Sequence, residues 1–280
     1  MLSGFRGCGE GWGGPGARDN VCVCVFVCTR EGVFVNTTFT LFRMVVTHVD
    51  RLLGRRGIPL TREPNATIGM SRAEGALFLG ALLRPTVRTY LEWGTGGSTE
   101  LVAQLILTGA VPSTFRAVAI ESSPRWIDHL YARTPLVRAA ERTGRLQLVH
   151  GDIGETGLLG HPKRFKPGDR GRALGYVALA NRLPSHGVDV ALVDGRFRLA
   201  CLLEVLPYLS KPPARPIALL HDYAPTGGAT AYRFSEYSKA LGFYDVRQQN
   251  GTLAALTPKR AYSRVAADRA RLSALSSPTR

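Results

Sequence analysis

The sequence predicts an α/β fold: a doubly wound, mostly parallel β-sheet with helices on both faces, ending in an antiparallel hairpin. Two observations predict it. From about residue 70 onward, short apolar stretches of strand length alternate with stretches of helix length, which is the rhythm of a Rossmann-like sheet. Near the end, the string FYDVRQQNGTLAAL reads as two strands joined across Asn250-Gly251, a dipeptide typical of tight hairpin turns.

The order of the elements follows from helix caps, helix breakers and apolar runs. The first helix is predicted over residues 71–84, because Ser71 and Glu74 have the spacing of a capping box and Pro85 ends the pattern. Strands are predicted at five apolar runs, over residues 89–92, 117–120, 146–150, 189–193 and 217–220. Helices are predicted after these strands and before the hairpin, over residues 98–107, 124–133, 172–182, 197–209 and 230–241.

Composition divides the chain into three parts. Residues 1–69 are expected to be a poorly ordered extension that contains the string VCVCVFVC. Because a translated GT repeat alternates Val and Cys in this way, we interpret the segment as translated non-coding sequence, with Met44 or Met70 as the start; an edge strand is the competing interpretation. Residues 70–258 form the predicted α/β domain, and residues 259–280 form a basic tail, expected to be a frayed helix or disordered.

The net charge of +15 points to an anionic partner such as nucleic acid, a membrane surface or an acidic substrate. Most of the excess lies in residues 1–69, in the loop 160–172 and in the tail, so a uniformly basic groove is not indicated. No apolar run approaches the roughly 20 residues of a membrane-spanning helix, and no signal-peptide pattern is present. Four of the five cysteines precede residue 29, which fits neither a disulfide framework nor a zinc site, so a reducing, intracellular setting is expected.

The string YLEWGTGGSTE, residues 90–100, is the first candidate binding site. The predicted strand ends at Glu92, and a glycine-rich turn leads into the helix through Gly94, Thr95, Gly96, Gly97 and Ser98. Glycines let the backbone approach a ligand closely, and a helix N-terminus offers N–H groups to a negative group. Thr99 stands where a dinucleotide site would have its third glycine. A carboxylate at this place suits a ligand with a positive amine, such as S-adenosylmethionine, whose own carboxylate can meet the helix. A tight turn without a ligand is the alternative.

Each of the other four parallel strands is also followed by an acidic side chain. Glu121 ends the second strand, where it can accept hydrogen bonds from ribose hydroxyls, and Asp152 follows the third, where an adenine amino group can be read. Asp194 follows the fourth strand, and His221 and Asp222 follow the fifth. Because ligands of open α/β sheets bind at the carboxyl edge, this coincidence indicates a binding site. The alternative is that these side chains only cap a helix or close a loop.

On these motifs, residues 71–258 resemble the class I S-adenosylmethionine-dependent methyltransferases. The strings LEWGTGGST, GDIGETG and VDGRFR with a later HDY resemble an uncharacterised methyltransferase-like branch, similar in layout to the macrocin and catechol O-methyltransferases. The resemblance implies that Glu92, Gly94, Gly96 and Ser98 contact the methionine end of the cofactor. It further implies that Glu121 contacts the ribose and Asp152 the adenine. Many members carry a glycine where this chain has Ser98.

The same resemblance implies a divalent metal. In those two O-methyltransferase groups an Asp after the fourth strand and an acidic pair after the fifth hold the ion, and Asp194 and Asp222 match these places. His221 stands where an acid is usual, which suits Mg²⁺ poorly and Mn²⁺ better. A metal would lower the pKa of a substrate hydroxyl. The metal-free alternative has His221 or Asp222 as a general base.

The function expected from these features is O-methylation of a small-molecule or glycan hydroxyl. A methyltransferase acting on RNA or another macromolecule is the second possibility, motivated by the basic segments but disfavoured by VDGRFR, which lacks the Asn/Asp-Pro-Pro-aromatic string of enzymes that methylate base amines. A non-catalytic methyltransferase-like binding module is the third. A dehydrogenase is disfavoured by the missing third glycine and the terminal hairpin. Candidates for the substrate pocket are Tyr176, Arg196, Arg198, Tyr223 and Tyr232.

Overall fold

The computed structural model describes residues 69–157, 160–164, 166–182, 187–209, 215–223, 237–259 and 264–275. The interpretation of residues 1–68, including the candidate start at Met44, therefore lies outside the described residues, as does Tyr232. Within the described ranges the chain forms the predicted α/β architecture, and the sheet runs through the middle of it.

Seven strands of the described chain form one sheet in the order β3-β2-β1-β4-β5-β7-β6. The first five run parallel, and β7 pairs antiparallel with both β5 and β6. The direction of winding reverses between β1 and β4, and in such sheets ligands bind at the carboxyl ends of the strands that flank this point. The strands are β1 (Thr89–Trp93), β2 (Arg116–Glu121), β3 (Leu146–His150), β4 (Val190–Val193), β5 (Ile217–Leu220), β6 (Tyr244–Asn250) and β7 (Leu253–Pro258).

Helices cover both faces of the sheet. The first begins as the sequence predicts, because the Ser71 hydroxyl accepts from the Glu74 N–H while the Glu74 carboxylate accepts from the Ser71 N–H. The α-helices are α1 (Arg72–Leu82), α2 (Gly97–Thr108), α3 (Pro124–Arg133), α4 (Pro135–Arg142), α5 (Arg170–Val177), α6 (Arg198–Val205) and α7 (Arg264–Ala274). None of the helices in these ranges is both long and apolar enough to cross a membrane.

The core lies in two layers, one on each face of the sheet. Alternate residues of β4 point to opposite faces: Val190 and Leu192 pack in one layer, and Ala191 and Val193 in the other. All four are buried, as expected for a parallel strand covered by helices on both sides. This double burial holds β4 and its neighbour β1 rigidly, and the candidate site begins at the ends of these two strands.

The hairpin is anchored to the first helix. Asn250 pairs with Leu253, so the loop is Gly251-Thr252, one residue later than the Asn250-Gly251 turn of the sequence prediction. Glu74 accepts hydrogen bonds from the Thr252 N–H and hydroxyl, at 2.6 Å and 2.8 Å. A side chain at Gly251 would begin 2.6 Å from the same carboxylate, and the φ of 57° also favours glycine. The capping acid of α1 therefore also fixes the hairpin.

Several elements differ from the predictions. Helix α4 is not among the predicted helices. The predicted helix over 197–209 continues beyond α6 as a 3-10 turn, Leu206–Tyr208, since Pro207 has no N–H for an α-helical bond. The tail is not frayed over α7, because Ala267 and Leu275 are buried against the core and Arg271 pairs with Glu204 of α6. Of the predicted helix over 230–241, the described part is a 3-10 helix, Ser238–Gly242.

Candidate functional site

The candidate site lies at the carboxyl edge of the sheet, where two glycine-containing turns touch. Gly94 follows β1 with a φ of 89°, and a side chain there would begin 2.6 Å from the Gly195 nitrogen. Gly195 follows β4, and a side chain on it would overlap the Tyr176 hydroxyl and the Gly94 nitrogen. The Asp194 N–H also donates to the Trp93 carbonyl at 2.9 Å. The turn after β1 is therefore in direct backbone contact with the turn that carries Asp194.

The buried carboxylate of Glu92 fixes the glycine-rich turn through hydrogen bonds. This side chain is fully buried, and its two oxygens accept hydrogen bonds from the Tyr90 hydroxyl, at 2.6 Å, and from the Thr99 hydroxyl. Thr99 in turn accepts from the Gly96 N–H at 3.0 Å. In this arrangement Glu92 positions the turn and the start of α2, so a ligand amine would reach its carboxylate only after the turn moved.

Burial also changes the acidity of Glu92. It raises the pKa of the carboxyl to about 7, while hydrogen bonds from three hydroxyls oppose the rise and the charge of Asp194 adds to it. In the unfolded chain the same group titrates near 4.5. Because the folded state holds this proton more tightly, the free energy of unfolding falls as the pH rises from about 4.5 to about 7.

We expect Glu92→Gln to remove this pH dependence. One pKa unit corresponds to about 1.4 kcal/mol, so relative to wild type the variant should gain about 2 kcal/mol of unfolding free energy between about pH 5.5 and pH 8. Urea denaturation at both pH values measures this gain. Glu74→Gln is the matched control: hydrogen bonds outweigh burial and lower the pKa of Glu74, so its carboxyl is ionised in both states over this range and the variant's effect should stay constant. If Glu92→Gln changed the free energy of unfolding equally at both pH values, the pKa of Glu92 would not be raised in the folded state.

Glu121, the last residue of β2, faces the same turn. One carboxylate oxygen accepts from the N–H and the hydroxyl of Thr95, at 3.1 Å and 3.0 Å. The other accepts from the N–H groups of Ser122 and Ser123, at 2.8 Å and 2.9 Å. The Trp126 indole donates to the Thr95 carbonyl at 2.8 Å. A ligand hydroxyl that binds this carboxylate would take the place of the Thr95 bonds.

Asp152 lies beyond β3 and is exposed. Its carboxylate accepts from the Gly154 N–H at 2.8 Å and lies 3.9 Å from the Arg172 guanidinium. The adenine contact expected of this residue stays a prediction, since its described contacts are local to the loop after β3.

The turns after β4 and β5 bring together Asp194, His221 and Asp222. One potential ligand atom from each of these three side chains lies within 4.8 Å of the other two. His221 Nδ1 lies 3.0 Å from Asp194 Oδ1, and because a carboxylate only accepts, Nδ1 carries the proton and Nε2 is left as the basic nitrogen. Asp222 has a φ of 60°, which is unusual for a residue with a side chain and is typical of functional sites.

Charges in this cluster favour an ionised carboxylate beside a basic imidazole. Burial raises the pKa of Asp194, but the charge of Arg198 and the bond from His221 outweigh it and bring the pKa below its ordinary value. Burial lowers the pKa of His221, but the bond and charge of Asp194, with the charge of Asp222, outweigh that and raise it. The pair has the composition of a general base with an orienting acid.

Of the candidates for the substrate pocket, Arg198 has a buried side chain that is ion-paired with both carboxylates of the cluster. Asp194 and Arg198 are four residues apart in sequence, but Asp194 precedes α6, so the spacing is not that of an ion pair on one helix. Tyr176 is likewise part of the core below Gly195. The roles of Tyr90 and Thr99 were missed, although Tyr90 is two residues from Glu92 on the same strand face.

No protein-family model and no curated protein matches the sequence. Among solved structures, the chain is similar to a methyltransferase-like protein from Silicibacter pomeroyi, with 23% identity over 79% of this chain and 98% of that one, and a TM-score of 0.53. The chain has the class I methyltransferase fold. A putative O-methyltransferase from Klebsiella pneumoniae matches this methyltransferase fold with 15% identity over 79% of this chain and 94% of that one, at a TM-score of 0.44, which is too low to add to the conclusion. The likeness establishes the fold alone.

Proposed function

We propose that this chain is an S-adenosylmethionine-dependent methyltransferase that methylates a hydroxyl of a small molecule or glycan. The observation that carries the proposal is the contact between Gly94 and Gly195, which sets the candidate cofactor turn directly against the turn that bears Asp194. A methyl donor bound on the first turn would lie beside the imidazole that Asp194 orients. The methyltransferase fold supports the same conclusion.

Features of the glycine-rich turn and of its surroundings support cofactor binding there. Gly96 has no atom within 4 Å of the place where a side chain would begin, so the turn leaves open space at the start of α2. Helix α2 presents its N-terminus to that space, which suits the carboxylate of the methionine moiety. Glu121 lies next to the same turn, and ribose hydroxyls would donate to its Oε2 in place of the Thr95 bonds.

The chemistry then follows from the His221–Asp194 pair. When bound, S-adenosylmethionine supplies an electrophilic methyl group on a positively charged sulfur. Nε2 of His221 would accept the proton of a substrate hydroxyl that attacks this methyl group, with S-adenosylhomocysteine as the leaving group. Asp194 holds Nδ1–H and stabilises the imidazolium that results. The proton leaves to solvent when S-adenosylhomocysteine and the methyl ether dissociate.

We expect S-adenosylhomocysteine to bind the wild-type protein and to bind Gly96→Val about 100-fold more weakly or not at all. The valine side chain would fill the open space at the start of α2, and 100-fold corresponds to about 2.7 kcal/mol of lost binding energy. Isothermal titration calorimetry measures both affinities. Gly80→Val is the matched control, because Gly80 also has open space around it but lies on α1, so binding should be unchanged.

Turnover is tested by release of S-adenosylhomocysteine over a panel of hydroxyl acceptors that includes catechols and sugar nucleotides. Absence of binding to wild type would overturn the proposed function. Binding without turnover on any acceptor, including RNA, would favour a non-catalytic binding module instead.

A further inference from the structure

We propose that Arg198 holds the position a divalent metal would take between Asp194 and Asp222, and that these two carboxylates with His221 therefore do not form a metal site. In the methyl transfer proposed above, on which this second part rests, Arg198 is a positioning residue that fixes the carboxylate orienting His221. The metal expected from sequence resemblance is replaced by a cation of the chain itself.

The guanidinium is placed centrally in the cluster. Arg198 is only 6% exposed, and its Nη2 and Nη1 atoms lie 2.8 Å from Asp194 Oδ1 and from Asp222 Oδ2 respectively. Its remaining N–H groups donate to three backbone carbonyls, those of Gly195 at 3.1 Å, Asp194 at 3.0 Å and His221 at 2.7 Å. Four guanidinium N–H groups thus donate to oxygen acceptors, and three of these four acceptors belong to the three residues of the candidate metal cluster.

The donor set that remains does not fit a divalent ion. Asp194 Oδ1 already accepts from the imidazole and is ion-paired with the guanidinium, 2.8 Å from its Nη2. His221 Nδ1, the nitrogen that faces the cluster, carries a proton toward Asp194 and has no lone pair to offer a metal. Two carboxylates and one guanidinium leave a single net negative charge, and an added divalent ion would lie within a few ångströms of the buried guanidinium. Mg²⁺ and Mn²⁺ are bound mainly through carboxylate oxygens, and both carboxylates of this cluster are already ion-paired with the buried guanidinium.

Two residues in contact with Arg198 or adjacent to it have unusual backbone conformations. Phe197, which precedes it, and Asp222, which it binds, have φ values of 54° and 60°, in the left-handed region that side-chain-bearing residues seldom adopt. Such conformations persist only where surrounding contacts hold them. The paired bonds from Nη1 to the His221 carbonyl and to the Asp222 carboxylate supply such contacts for the second of these residues. The guanidinium therefore shapes the turn that presents His221.

Binding of Mn²⁺ to the full-length protein, followed by the electron paramagnetic resonance signal of the unbound ion, tests the first part without any turnover. We expect Asp194→Asn to leave the Mn²⁺ binding of wild type unchanged. Arg198→Met, which removes the charge and keeps much of the side-chain volume, should gain about one Mn²⁺ per chain, and the double variant Arg198→Met/Asp194→Asn should lose it again. Mn²⁺ binding by wild type that Asp194→Asn removes would overturn the proposal, and so would a folded Arg198→Met that gains no ion. If Arg198→Met does not fold, the comparison of wild type with Asp194→Asn still shows whether Asp194 belongs to a Mn²⁺ site in the wild-type protein.

The positioning role is tested by kinetics of S-adenosylhomocysteine release. Wild-type turnover should be unaffected by a chelator, and Arg198→Lys, which restores the charge, should recover part of the kcat that Arg198→Met loses, with the KM for S-adenosylmethionine unchanged in both. The positioning role of Arg198 would be contradicted if kcat fell equally in the two variants, or if the affinity for S-adenosylmethionine fell and kcat did not. Failure of the proposed function would appear separately, as absence of S-adenosylhomocysteine binding to wild type, and would leave the Mn²⁺ result intact.

Discussion

Replacing His221 with glutamine should lower kcat for methyl transfer by about 10²- to 10⁴-fold, the usual contribution of a positioned general base. Glutamine can still bond to Asp194 but has no basic nitrogen at the place of Nε2. The hydroxyl proton would then pass to water, and the oxygen would attack the methyl group with less negative charge. The measurement is the rate of S-adenosylhomocysteine release with an acceptor that wild type methylates.

Two comparisons make the result specific. S-adenosylhomocysteine should bind His221→Gln as tightly as wild type, because His221 lies on the turn after β5 and not on the glycine-rich turn. Asp194→Asn should also lower kcat, since an amide can present its N–H to Nδ1 and favour the wrong tautomer. Wild-type kcat in His221→Gln would exclude His221 as the base while leaving cofactor binding untouched.

Much of the fold is predictable from the sequence because strands that are buried on both faces consist of short runs of apolar residues. Strands β3 and β5 and helix α3 begin and end where they are predicted. Helix α4 is missed because Thr134 and Pro135 read as the end of α3, whereas the Thr134 hydroxyl caps the next helix by accepting from the Leu136 N–H. The same local signal ends one helix and begins another.

The candidate site is only partly predictable, because its key contacts join segments that are distant in sequence. Acids after successive parallel strands must share one edge of the sheet, so their positions follow from strand prediction. Strands β1 and β4 are neighbours in the sheet although they are not consecutive in the chain. The contact of Gly94 with Gly195 therefore cannot be predicted from the order of the elements. The binding of Arg198 to Asp222 likewise depends on β4 lying beside β5.

Gly94→Ala should destabilise the protein by about 2 to 6 kcal/mol, through two costs that act together. Its φ of 89° is strained for alanine, which costs about 1–3 kcal/mol. The new methyl carbon would also begin 2.6 Å from the Gly195 nitrogen and 2.7 Å from the Asp194 carbonyl carbon. Neither atom belongs to a side chain that could turn away, so relief requires the ends of β1 and β4 to separate, at a further cost of about 1–3 kcal/mol. Urea denaturation measures the loss.

Gly109→Ala separates the two costs. Gly109 follows α2 with a φ of 77° and has no atom within 4 Å of the place where a side chain would begin, so its replacement should cost only the left-handed strain, about 1–2 kcal/mol. The excess of Gly94→Ala over Gly109→Ala therefore measures the contact between the two turns. S-adenosylhomocysteine binding and turnover should both fail in Gly94→Ala, since the cofactor turn and the Asp194 turn would no longer touch. If the two variants were equally stable, the backbones would not be in contact, and the observation that joins the cofactor turn to the base would be lost.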